Sequence, residues 1–299
     1  MSPDILADSL KRRIRSFWNA QPCGTKFARA TVGTAEFFQE VEQHRYRTEW
    51  HIPEIVNFPA WRGHDVLEVG CGLGTEGVNF ARAGARYVGI DLSEVSVEWT
   101  RKRFALEGLR GAFRVADAEA LPFEDAAFDL VYSHGVLHHT ADIAKAVDEA
   151  YRVLKPRGTA IVMVYHRNSY NYHVNIMLLR RFGARLLRFD WGPALIHKMT
   201  GEDVTRLLNL QTRYCADRRA FLARDEFLSR NTDGAENPLS RVFSKSDAQR
   251  LFNRFRSVRT EVHFLNRRWL PLVGPHMPRK VEDMVAGRFG WHLWVLAQK

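Results

Sequence analysis

The densest chemistry in this chain lies in one short stretch, Val66-Leu67-Glu68-Val69-Gly70-Cys71-Gly72-Leu73-Gly74. An apolar run that breaks into alternate glycines predicts a strand turning sharply into a helix. With no Cβ on Gly70, Gly72 or Gly74, a ligand can lie against bare backbone, Cys71 included. The helix that follows turns its unbonded N–H groups and positive dipole end toward any carboxylate or phosphate held there. Glu68, just ahead of the turn, suits a cationic ammonium group. Two more carboxylates follow. Asp91 closes Val88-Gly89-Ile90-Asp91, where, with Leu92 beside it, it can accept hydrogen bonds from both hydroxyls of a ribose. Asp117, in Ala116-Asp117-Ala118-Glu119, can accept from an adenine amino group. Histidines 134, 138, 139 and 166 supply groups able to take a proton near neutral pH.

These residues need a scaffold, and the apolar pattern describes one. Strands are predicted at 66–69, 87–90, 112–115, 128–132 and 159–165, with helices at 75–83, 94–107 and 141–154 between them. The 159–165 run is almost unbroken apolar, as in parallel strands buried on both faces. Alternation of this kind gives a doubly wound α/β sheet whose site lies at the carboxyl ends of its strands. Helices at 9–19 and 35–50 precede it. After Tyr165 the rhythm stops for a long, Arg-rich, aromatic-bearing region with a weak helical stretch at 175–187, read as a folded functional insertion. A helix near 245–254 and strands at 257–264 and 291–297 then resume the pattern.

Dinucleotides and S-adenosylmethionine both use a strand–glycine–helix turn. Gly72-Leu73-Gly74-Thr75-Glu76-Gly77 spells the dinucleotide pattern, but out of phase with the strand end at Val69. In phase, Thr75 stands where the third glycine is needed for close packing. The ordered set of Glu68, the glycine turn, Asp91, Asp117 and Ser133-His134-Gly135 resembles the class I S-adenosylmethionine-dependent methyltransferases. It is most similar to the broad subgroup that includes the ubiquinone and menaquinone C-methyltransferases. The resemblance covers about residues 50–165 and implies a Rossmann-like seven-stranded sheet with the last strand antiparallel. It implies that Gly70, Gly72 and Gly74 pack on the methionine and ribose portions of the cofactor, with Glu68 at the ammonium. It places Asp91 at the ribose, Asp117 and Ala118 around the adenine, and His134 at the methionine moiety.

Methyl transfer from an activated sulfonium needs chiefly orientation and proximity, with a base only where the acceptor must lose a proton. His139 and His166, after the fourth and fifth strands, are the candidates, a packing role being the alternative for each. His138 reads as structural. His134 and His138 have metal-pair spacing, but no third ligand accompanies them, so no metal is expected. Tyr165, Tyr170 and Tyr172 line an acceptor pocket or pack the insertion on the core. Pro22-Cys23 reads as a turn with a free thiol, and the N/D-P-P-Y tetrapeptide of base-modifying amino methyltransferases is absent.

The chain divides into a helical cap (1–50), a cofactor core (51–165), an acceptor-covering insertion (166–243) and a completion of the core (244–299). Three scattered cysteines, no run of about 18 apolar residues and no apolar N-terminal leader predict a reduced cytoplasmic protein. The net charge of +10 is uneven: residues 1–150 carry 17 basic and 22 acidic groups, and the remainder 27 and 12. The resemblance implies O- or C-methylation of a small molecule, and the basic half predicts that this acceptor is anionic or amphiphilic, a solvated surface being the alternative. Arg180, Arg181, Arg185 and Arg188 at helical spacing, and Arg267-Arg268-Trp269, are the expected grips. Leu10, Ile14, Phe17 and Trp18 beside Lys11, Arg12, Arg13 and Arg15 match helices that lie on membranes, so peripheral membrane association is a further expectation. An RNA methyltransferase and a non-catalytic regulator are the rival readings. No RNA-binding motif supports the first, and intact cofactor residues oppose the second.

Overall fold

The computed structural model describes residues 3–234, 237–267, 270 and 274–299. Seven strands form one sheet: β1 (Asp65–Val69), β2 (Arg86–Asp91), β3 (Ala112–Val115), β4 (Phe128–His134), β5 (Leu154–Tyr165), β6 (Ser257–His263) and β7 (His292–Gln298). Their order is β3-β2-β1-β4-β5-β7-β6. β1 to β5 pair in parallel, while β7 lies antiparallel between β5 and β6, as the resemblance implies.

Both faces are buried because the strands carry apolar side chains on both. On one face Leu67, Val69, Val131, Val162 and Val295 pack under α6 (Ile143–Val153). That helix turns Ala146, Val147 and Ala150 inward and is started by Asp142, whose side chain accepts from Ala144 and Lys145 N–H. On the other, Val66, Leu130, Tyr132, Ile161 and Trp294 meet α3 (His51–Val56) and α4 (Thr75–Arg82) through Ile52, Val56, Val78 and Phe80. Between them α5 (Glu94–Leu106) links β2 to β3.

Two helices precede α3: α1 (Pro3–Ala20) and α2 (Ala35–Thr48). α1 does not present its apolar stripe to solvent, since Ile14 and Phe17 are buried within the fold. Its polar face is tied down as well: Lys11 reaches Asp117 and Glu119, each at 2.7 Å, and Arg15 pairs with Glu94.

The region after β5 is helical through most of its length, more so than the sequence pattern suggests. A π-wound segment, Asn171–Arg180, leads through two short turns into helices at Gly192–Thr200, Val204–Ala216, Arg218–Phe221 and Arg224–Arg230. The chain leaves and re-enters beside the end of β5. Phe243 N–H donates to Tyr165 O at 2.8 Å, and Arg167 N–H to Phe243 O at 2.9 Å. A helix at Arg279–Phe289, ahead of β7, carries no strong periodic signal and was not expected.

Candidate functional site

Gly70, Gly72 and Gly74 all have left-handed φ values, of 84°, 52° and 71°. Each serves a different need. A Cβ on Gly70 would lie 2.1 Å from Cγ2 of Val136, so only glycine lets the loop after β4 close on the turn. A Cβ on Gly74 would press on Thr100 at 3.0 Å, while one on Gly72 would meet nothing within 4 Å. The turn is pinned to β2 by Gly70 and Cys71 N–H, which donate to Ile90 O at 2.8 and 2.9 Å. Gly72 therefore faces open space at the carboxyl edge of the sheet, which is the property a cofactor cradle needs.

Asp91 lies against the turn at the same edge. Its carboxylate accepts from Gly72 N–H at 3.1 Å and Ser93 N–H at 2.9 Å. Desolvation nevertheless pushes its pKa up to about 6, against the pull of those backbone donors. Leu92 follows it, half-buried. Glu68 is buried, and burial together with the neighbouring Glu76 holds its carboxyl well above the usual range, while the Tyr87 hydroxyl donates to it at 2.5 Å. On the far rim Asp117 accepts from Glu119 N–H at 2.9 Å and from Lys11 Nζ, with the buried Ala118 beside it. Asn19 of α1 meets the Asp91 side instead, accepting from Ser93 Oγ at 2.7 Å.

His134, ending β4, belongs to a buried polar group assembled from distant parts of the chain. Arg45 of α2 donates to His134 Nδ1 at 2.7 Å, to Glu49 at 3.1 Å and to Glu76, in the first turn of α4, at 3.0 Å. His292, starting β7, contacts His51 at 3.3 Å. Burial holds His134 and His292 well below the ordinary histidine range and brings His51 down to about 3, helped by Arg45 at His134 and by neighbouring imidazoles and Arg45 at the other two. These rings are neutral. Glu49, His134 and His292 bring three ligand-type atoms within 4.8 Å of one another. Arg45 argues against their use by a metal. A guanidinium only donates, so Nδ1 of His134 accepts, and its Nε2 carries the hydrogen and cannot coordinate. Oε2 of Glu49 lies 3.5 Å from that nitrogen, too far or too poorly aligned for a hydrogen bond.

A family profile described as "Methyltransferase domain" matches residues 67–162, from β1 through most of β5. The core is a class I S-adenosylmethionine-dependent methyltransferase domain. Similar proteins include the chloroplastic tocopherol O-methyltransferase of Arabidopsis thaliana, 41% identical over 107 residues, or 34% of this chain and 31% of that protein. Demethylmenaquinone methyltransferase of Clavibacter sepedonicus is 38% identical over 113 residues, 38% of this chain and 46% of the relative. The chain thus spans about a third to a half of the length of these curated relatives. A solved S-adenosylmethionine-dependent methyltransferase from Methanosarcina mazei shares the fold, with a TM-score of 0.50, 19% identity, and coverage of 83% of this chain and 97% of that one.

The residues of this methyltransferase domain fit the cofactor: Gly72 leaves space that a Cβ would fill, and a carboxylate faces it from Asp91. Beyond the domain's β4 and β5 lies a second polar group. His139 is buried, its Nδ1 donating to Leu239 O at 2.6 Å and its Nε2 lying 3.4 Å from Asp233. The Tyr165 hydroxyl donates to the same Asp233 carboxylate at 2.8 Å. Asp233 and Lys26, with Arg206 and Arg213 of the insertion, line a cavity of about 510 Å³. His166 is also buried, its Nδ1 donating to Gly290 O at 3.1 Å, and burial lowers its pKa. His138 lies against Tyr165 with the rings tilted by 40° and their centres 3.9 Å apart, and both its nitrogens are unpaired and buried. Tyr172 is buried against the core, while Cys23 is a free thiol in an exposed turn.

Sequence reasoning missed Arg45, Glu49, His292 and Asp233. None belongs to a motif, and each takes its setting chiefly from partners tens to hundreds of residues away, the Arg45–Glu49 pair within α2 excepted. One expected grip is already engaged: Arg267 donates to Glu282 through Nε at 2.7 Å and through its other nitrogen at 2.5 Å. Arg268 and Trp269 lie outside the described residues.

Proposed function

We propose that this chain transfers a methyl group from S-adenosylmethionine to a small anionic or amphiphilic acceptor, at oxygen or carbon. The observation that carries the reading is the open space facing Gly72, bounded by Asp91 at the carboxyl edge of the sheet. S-adenosylmethionine, when bound, supplies an activated methyl group, and the protein supplies position. Gly70, Cys71, Gly72 and Gly74 form the floor, and Asp91 with Leu92 holds the ribose. Asp117 and Ala118 take the adenine once Lys11 yields its place on Asp117. Glu68 and His134 face the methionine end, where the Arg45 guanidinium suits its carboxylate.

The acceptor enters through the cavity beside Asp233. Its lining carries Lys26, Arg206 and Arg213 against Asp203 and Asp233, an excess of cations that favours an acidic group, and Asp233 links it to the buried His139. With Nδ1–H bound to Leu239 O, Nε2 of His139 is the basic nitrogen, and Asp233 stabilises the imidazolium it would become. His166 has the same arrangement toward Gly290 O and is the second candidate. Tocopherol and demethylmenaquinone, the compounds in the names of two relatives, are amphiphilic, which supports that acceptor class here. The helical segments at 1–50 and 166–243 then serve as cofactor cover and acceptor cover, beside a core completed by 244–299. No helix among the described residues is long and apolar enough to cross a membrane.

Titration calorimetry with S-adenosylhomocysteine tests the cofactor half, and transfer of a labelled methyl group to a panel of phenols, carboxylic acids and quinols tests the acceptor half. Binding of NADH in place of S-adenosylhomocysteine would overturn the reading. Labelling of RNA, with none of the small acceptors turned over, would move the activity to the rival substrate class.

A further inference from the structure

The helices that follow β5 leave an unusual amount of apolar surface uncovered. Along Gly192–Thr200, Trp191, Leu195 and Met199 are spaced four residues apart, so they form one stripe. They are 52%, 36% and 72% exposed. In the preceding segment Leu179 and Phe182 are 55% and 68% exposed. A protein ordinarily buries such side chains or uses them. Residues 171–200 carry five basic groups and one acidic group. Arg185, Arg188 and Lys198 are exposed, and none pairs with a carboxylate among the described residues, whereas Arg180 feels the charge of Glu202. This contrasts with Arg82, Arg86 and Arg152 of the core, each held by acidic partners.

We infer that this helical face docks on an anionic lipid surface, its aromatic and aliphatic side chains entering the headgroup boundary and its arginines meeting the lipid phosphates. Charge complementarity selects the occupant. A row of uncompensated cations around exposed Trp, Phe, Leu and Met suits an acidic bilayer surface and is unfavourable for a second copy of the same basic face. The amphipathic stripe of α1 cannot serve, because Ile14 and Phe17 are buried and Lys11 and Arg15 are paired. The docking face is also placed for a purpose. The next helix, Val204–Ala216, contributes Arg206 and Arg213 to the acceptor cavity. Resting on the proposed methyl-transfer reading, this puts the mouth of the cavity beside the layer from which an amphiphilic acceptor would come.

The test is co-sedimentation of the full chain with vesicles of phosphatidylcholine alone, or of phosphatidylcholine containing about one-third phosphatidylglycerol. Binding is expected to the acidic vesicles only and to weaken with added salt. Arg185→Gln with Arg188→Gln should lower the apparent affinity by about fivefold per cation removed. Phe182→Glu with Met199→Glu should abolish it. Calorimetry with S-adenosylhomocysteine, unchanged in both variants, shows that they remain folded. Loss of that signal in the unaltered protein would count against the methyltransferase reading and not against docking. Absence of binding to acidic vesicles, or full binding by the Phe182→Glu/Met199→Glu variant, overturns the proposal. So does a dimer in solution that the same two substitutions dissociate, which would give the face to a second copy.

Discussion

Asp91 offers a quantitative test of the cofactor site because its proton and the ribose compete for the same oxygens. Desolvation raises its pKa to about 6. Only the ionised carboxylate accepts from both ribose hydroxyls, so binding is full above this value and is lost as pH falls through it. At pH 5 the protonated form exceeds the ionised form about tenfold, which is about 1.4 kcal/mol of lost affinity. The same proton acts oppositely on folding. A carboxyl raised above its unfolded value makes this group's contribution to stability rise as pH falls from about 6 toward its unfolded value of 3.8. Asp91→Asn removes the charge while leaving one oxygen for Gly72 or Ser93. At pH 7.5 it should cost about 1.5–3 kcal/mol, or roughly 10–150-fold in affinity for S-adenosylhomocysteine. Calorimetry between pH 5 and 8 on both proteins separates Asp91 from the neighbouring Glu68, whose carboxyl is also raised. The wild-type slope should vanish in the variant, and any remainder belongs to Glu68. Equal affinities at pH 7.5, or a flat wild-type profile, would show that this carboxylate does not hold the ribose.

The glycines of the turn should separate folding from binding. Gly70→Ala, whose Cβ meets Val136, should lower the melting temperature markedly, whereas Gly72→Ala should cost only about 1–2 kcal/mol of backbone strain and lose cofactor affinity. Both must be followed by thermal melts and calorimetry, and equal melts would refute the assignment of Gly70 to packing. Changing whichever of His139 and His166 is the base to Ala should lower turnover by about two to four orders of magnitude with cofactor affinity intact. Full activity in both variants would leave positioning alone to carry the reaction. Arg103, fully buried, bonds Thr75 at 3.1 Å and pairs with Glu42 and Glu107. Arg103→Met should destabilise by about 3–5 kcal/mol in denaturant unfolding, by stripping those groups of their partner. A loss under about 1 kcal/mol would mean that Arg82 and water compensate.

The parts legible in the sequence were those whose signal is local. Val66–Val69 and Thr159–Tyr165 read as buried strands because every residue faces a core, and the alternate glycines have a physical reason at the turn. The end of the helix before β5 was less legible. Lys155-Pro156-Arg157-Gly158 reads as a stop, yet the chain continues as strand from Leu154, absorbing Arg157 at a φ of 67° and a register shift opposite Phe128 and Leu130. The amphipathic pattern of α1 was visible, but not its partner. An apolar stripe with cations specifies burial of one face, and whether a bilayer or the protein's own core covers it is decided by tertiary contacts. The group of Arg45, Glu49, His134 and His292 was illegible for the same reason: β7 brings His292 beside residues some 240 positions earlier only through an antiparallel pairing that no local pattern announces.

The placement of β7 between β5 and β6 also bears on how the molecule is made. β5 has β4 on one side from early in synthesis, but its other edge receives β7 only after residues 166–291 have been added. At about 5–20 residues per second this is a delay of roughly 6–25 s, during which one of the most apolar strands presents an open edge. The nascent chain should therefore depend on chaperones, or on transient cover from its own basic helices, until the last strand slots in. Expression slowed by rare codons between positions 166 and 291 would lengthen that exposure and raise the aggregated fraction.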